Sequence, residues 1–92
     1  MGSELSKTIH VRISRAAETV WEGEAATVSS TNSDGPFDIL PSHAHFISII
    51  VEEPIVIKLP DGSAKEYSYS QSVMHVKDDA VRIYADIYGD EK

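Results

Sequence analysis

Hydrophobic residues recur along this chain with a period of two, and that alternation limits its fold more than any other feature of the sequence. Ile9, Val11 and Ile13 alternate with His10, Arg12 and Ser14, and Ile55, Ile57 and Leu59 with Val56 and Lys58. Tyr67 and Tyr69 alternate with Ser68 and Ser70, and Val81, Ile83, Ala85 and Ile87 with Arg82, Tyr84 and Asp86. Successive side chains of a strand leave opposite faces, so each run sets one face on a core and the other towards water or a partner. Phe46 to Val51 is apolar except at Ser48 and reads as a strand buried on both sides. Ala16 to Ala26 has the Ala and Glu content of a helix, but Gly23, Thr19, Val20 and Trp21 weaken that reading.

Turn chemistry separates the runs. Asp61-Gly62 is a hairpin signal, because Gly accepts positive φ without steric cost. Ser33-Asp34-Gly35-Pro36, Glu52-Glu53-Pro54 and Asp78-Asp79 mark further reversals. Turns every 8–12 residues or so predict an all-β, two-layer sandwich of about ten short strands. The expected core draws on Ile9, Val11, Ile13, Val28, Ile47, Ile49, Ile57, Val81 and Ile83. With 92 residues there is room for one such domain, read as residues 7–88. Residues 1–6 read as a flexible N-terminus or cloning remnant, and 89–92 as a polar tail.

Charge and composition remove most activities. Fifteen acidic residues against eight basic ones give a net charge of −7, the wrong sign for nucleic acid or anionic lipid. Arg12, Arg15, Lys58, Lys65, Lys77 and Arg82 are scattered singly along the sequence. No apolar run reaches the roughly 18 residues of a membrane span, and the first residues lack the basic and apolar regions of a signal peptide. The absence of cysteine excludes disulfides, thiolate metal sites and cysteine nucleophiles.

Histidine is the one catalytic resource that stands out. His43-Ala44-His45 on a strand would set two imidazoles on one face, roughly 6.5–7 Å apart at Cα. With Glu52 or Glu53 such a pair would suit zinc, iron or manganese, in the manner of a small cupin-type metal enzyme. The cupin glutamate follows more closely, however, and a third histidine after a Pro-x-Gly is missing; His75 lies far beyond Gly62. No nucleophile elbow, converging carboxylate pair or Gly-rich phosphate cradle is present, so no catalytic residue, metal or cofactor is expected.

Gly35-Pro36-Phe37-Asp38-Ile39-Leu40-Pro41-Ser42-His43-Ala44-His45 resembles the signature segment of the epsilon subunit of F-type ATP synthases. That segment reads roughly Gly-x-Phe/Leu-Gly-Ile-Leu/Tyr-Pro-Gly-His-Ala-Pro. Val20-Trp21-Glu22-Gly23-Glu24 is similar to the family's early Val-Phe-x-Gly-Glu, and Ser70 to Val76 with Val81 to Asp86 resembles its closing pair of strands. Order and spacing agree from about Thr8 to Asp86. The chain departs from the family at Ser42, Gln71 and Ser72, where the family has glycines, at His45 for a proline and at His75 for a glutamate.

The resemblance implies the N-terminal β-sandwich of a non-catalytic rotor subunit in the central stalk of a proton-translocating synthase. Its implied partners are the gamma subunit and the c-ring, and its implied place is peripheral, on the cytoplasmic face of the membrane or its organellar equivalent. ATP binding is not expected, because the family's nucleotide contacts lie mainly in C-terminal helices that this sequence lacks. Asp34, Gly35, Asp38, Ile39, Leu40, Pro41 and His43 are the implied c-ring or gamma-facing loop, and the Gly35-Pro36 bend and Pro41 make the segment from Ser33 to His45 one stiff protrusion. Tyr67, Tyr69, Tyr84 and Tyr88 are candidate gamma contacts, since aromatic residues favour interfaces. An epsilon-like interaction module outside the synthase is the alternative reading.

Overall fold

The computed structural model describes residues 8–41 and 45–86. Ser42, His43, Ala44, Ile87 and Tyr88, all singled out by sequence, lie outside the described residues. Within them run nine strands: β1 (Ile9–Arg15), β2 (Glu18–Ala25), β3 (Thr27–Asn32), β4 (Gly35–Ile39), β5 (Phe46–Val51), β6 (Pro54–Lys58), β7 (Ala64–Ser68), β8 (Gln71–Lys77) and β9 (Ala80–Ala85). They form a five-stranded sheet, β2-β1-β9-β8-β5, facing a four-stranded sheet, β4-β3-β6-β7. The expected two-layer all-β sandwich is therefore present, and the described residues contain no helix. Every neighbouring pair is antiparallel except β1 and β9, which run parallel.

The period of two becomes the core. Ile9, Val11 and Ile13 of β1, Val81 and Ile83 of β9, and Met74 and Val76 of β8 are buried against Val28, Ile39, Ile55 and Ile57 of the facing sheet. Trp21, Phe37, Phe46, Leu59, Tyr67 and Tyr69 pack around this centre and remain half-buried. Phe37 and Phe46 meet across the sheets in a tilted pair, with ring centroids 5.2 Å apart.

Two of the expected core residues are not in it. Ile47 and Ile49 are 69% and 53% exposed, whereas Ile50 is 1% exposed. β5 is an edge strand, buried on one face only. Its inward residue next to Ile50 is Ser48, whose Oγ accepts a 2.8 Å hydrogen bond from Asn32 Nδ2 of β3. A polar residue thus occupies the inner face because a partner awaits it there, and the alternating isoleucines turn outward.

The predicted turns are where expected. Asp78 and Asp79 close the β8–β9 hairpin with φ of 51° and 62°, the left-handed values that a two-residue type I′ turn demands. Gly62 (φ 95°) donates its N–H to Leu59 O, and Asp61 Oδ1 accepts from both the N–H and the hydroxyl of Ser63. One turn carries no sequence signal: Ala16 and Ala17 close the β1–β2 hairpin with φ of 51° and 70°. Gln71 and Ser72, which stand for family glycines, are ordinary strand residues here and neither has positive φ. The left-handed residues lie beside them instead, at Glu52 and Asp86, and Asp86 N–H bonds Gln71 O at 2.7 Å.

Candidate functional site

Register determines which outward side chains share a face. On the five-stranded sheet, Cα pairing sets Glu22, Arg12, Arg82, His75 and Ile47 in one row across β2, β1, β9, β8 and β5. The adjacent row holds Thr19, Ser14, Tyr84, Val73 and Ile49. Ile47, Ile49, Val51 and Tyr84 are all exposed, so this outer face carries an apolar stripe along β5 beside a basic band. On the four-stranded sheet the corresponding row is Asp38, Ser29, Val56 and Glu66, which is mostly polar and acidic. The two outer faces therefore differ in both charge and apolarity.

At the β2 edge of the basic band, His10 lies between two glutamates. Its Nδ1 is 2.9 Å from Glu24 Oε2 and its Nε2 is 2.6 Å from Glu22 Oε2. A neutral imidazole donates from only one nitrogen, so this geometry favours the doubly protonated ring. The bonds to Glu24 and then Glu22 raise the His10 pKa, and the bond from His10 lowers both glutamates. Thr8 Oγ1 adds a 2.7 Å bond to Glu24. Arg12 and Arg82 stand beside Glu22 without a hydrogen bond to it, and Arg12 Nε and Arg82 Nη1 are shielded from solvent with no acceptor.

The loop expected from Ser33 to His45 is not one protrusion. Gly35–Ile39 is β4, paired along its length with β3. Asp34 lies in the turn before it and Leu40 and Pro41 follow it, so they stand at opposite ends of a strand about 14 Å long. Ile39 is buried in the core and offers nothing to a partner, and Gly35 is half-buried. Asp38 is exposed on the outer face and accepts a 2.5 Å hydrogen bond from Ser29 Oγ. Leu40 is exposed beside Pro41, and His43 lies outside the described residues.

The three described tyrosines also divide. Tyr84 is exposed on the apolar and basic face, whereas Tyr67 and Tyr69 are half-buried against the core. Burial, and then the neighbouring Tyr67, raises the Tyr69 pKa. His45 precedes β5 and Glu52 follows it, at opposite ends roughly 23 Å apart, so the two cannot share a metal ion.

Residues 8–88 match the family described as the β-sandwich domain of the ATP synthase delta/epsilon chain. The ATP synthase epsilon chain of Stenotrophomonas maltophilia is 29% identical over 79 residues, covering 86% of this chain and 56% of that protein. Its counterpart in Streptomyces griseus is 23% identical over 83 residues, covering 90% of this chain and 67% of that one. The chain thus spans little more than half the length of several relatives it matches. Among solved structures, a chain of the Euglena gracilis mitochondrial ATP synthase (OSCP, F1 and c-ring) superposes with a TM-score of 0.81 at 17% identity. That match covers 92% of this chain and 54% of the other. A chain from the central stalk and c-ring of the Tetrahymena thermophila enzyme gives a TM-score of 0.68 at 8% identity, covering 83% and 61% respectively.

Proposed function

The chain belongs to the delta/epsilon β-sandwich family of ATP synthases, and from that premise we propose that it is a non-catalytic rotor-stalk component that couples the gamma subunit to the c-ring. The observation that carries this reading is the family match over residues 8–88, which takes in the whole sandwich rather than one motif. The division of its surface into two unlike faces suits a subunit that touches more than one partner. The Leu40–Pro41 end of the sandwich is the part turned to the c-ring loops. Its exposed leucine and following proline make a short, stiff contact. Asp38, exposed on the adjoining face, adds charge that steers docking more than it adds affinity.

No chemistry is assigned to the chain, and ATP is not expected to bind it. Its place is peripheral, on the membrane face that carries the F1 sector. Reconstitution tests the reading: synthase stripped of its epsilon subunit should regain proton-coupled ATP synthesis, or regain stable gamma-to-c-ring coupling, when this chain is added. A chain that neither binds nor restores coupling would instead be an interaction module outside the synthase.

A further inference from the structure

Arg12 and Arg82 sit far apart in sequence and side by side in space. They are register partners on the parallel strands β1 and β9, which separates their Cα atoms by about 4.8 Å. Like charges directly opposite each other destabilise a sheet. The only carboxylate in their row is Glu22, and its Oε2 is already bonded to His10. Arg12 Nε and Arg82 Nη1 remain shielded and without an acceptor, in a chain that carries fifteen acidic residues and a net charge of −7. Both arginines are only half-buried, so beside these shielded atoms part of each side chain remains open on the face they share.

Apolar groups adjoin the pair. His75 separates Arg82 from Ile47 in the same row, and Tyr84, Val73 and Ile49 form the next. Arginine, tyrosine and exposed isoleucine together make the composition of a protein-interface centre. Two arginines on an acidic domain are too few for nucleic acid. We propose that this outer face docks a protein segment that presents an Asp or Glu carboxylate to the Arg12–Arg82 pair and an apolar flank to Ile47, Ile49 and Val51. The guanidinium fork fits a carboxylate bidentately, and one carboxylate between two such forks removes their mutual repulsion. This inference rests on the stalk reading and names the chemistry of the gamma subunit's contact with the five-stranded sheet.

The test titrates the purified gamma subunit of the same organism against the chain and its variants, each checked for an unchanged melting curve. Ile49→Asp and the double variant Arg12→Gln/Arg82→Gln should each weaken binding by about tenfold or more. The double variant should also bind with a flatter salt dependence, because a charge-assisted contact has gone. Arg12→Lys/Arg82→Lys keeps the charge but loses the fork, so it should recover only part of the affinity. Glu66→Lys, on the other sheet, should bind as the unmodified chain does. Unmodified chain that binds gamma while the Arg and Ile49 variants bind equally well overturns the inference and leaves the stalk reading standing. Unmodified chain that does not bind gamma overturns both.

Discussion

Gly23 lies under the indole of Trp21 on the inner side of β2: a Cβ at position 23 would stand 2.8 Å from Trp21 Cζ2 and 3.0 Å from Cη2. A glycine in mid-strand normally weakens the strand, since it adds backbone entropy to the unfolded chain and packs nothing. Here the missing side chain is the seat of the ring, which closes the core edge beside Ile13. Gly23→Ala should therefore destabilise the domain by about 1–2 kcal/mol in urea unfolding. In a Trp21→Ala background the same change should be neutral or stabilising, as the entropy argument alone requires. A Gly23→Ala penalty that persists without the ring would show that the ring is not its cause.

Neighbouring isoleucines on β5 give a sharper contrast. Ile50 is fully buried, so Ile50→Ala should cost about 2–4 kcal/mol. Ile49 points outward, and Ile49→Ala should cost less than about 1 kcal/mol despite identical chemistry. Equal losses in denaturant unfolding would mean that β5 is buried on both faces.

The His10 cluster predicts a pH window. A raised histidine contributes stability below its unfolded value of 6.5 and loses it as pH rises through the higher folded value. The lowered glutamates contribute above their unfolded value of 4.5 and lose it as pH falls through their lower folded values. The paired state is thus most favourable between these two limits. All three side chains are substantially exposed, so solvent screening keeps the effect small. The melting temperature of His10→Gln should fall furthest below that of the unmodified chain inside the window, and the two should converge at alkaline pH. A gap constant across that range would contradict the arrangement.

Ala16 and Ala17 hold left-handed backbone without the residues that favour it. An L-residue with a Cβ loses roughly 1–2 kcal/mol in that region. Ala16→Asn/Ala17→Gly supplies the preferred type I′ pair and should stabilise the domain by about 1 kcal/mol. No gain in thermal or urea unfolding would mean that the turn relaxes this strain in some other way.

Much of the sandwich was legible because strand alternation, turn chemistry and burial agree over β1, β6 and β9. β5 was not, since a run apolar at nearly every position gives no parity, and its one polar residue, Ser48, is turned inward by Asn32. The Ala16-Ala17 turn was invisible because alanine is not a turn residue. The segment from Ser33 to His45 looked like one loop because Gly35 and two prolines interrupt it, yet Phe37 and Ile39 alternate as strand residues do. Arg12 and Arg82 read as isolated charges because only the parallel pairing of β1 with β9 brings them together, and such long-range pairing leaves no local signal.

Isolating the synthase from its own organism's membranes through a tagged gamma subunit, and quantifying this chain in the product, tests whether the chain is a structural part of the rotor. One copy per gamma, retained through gel filtration with the c-ring, is the predicted result. Recovery of gamma and c-ring complex without this chain, while the chain elutes alone, would contradict it.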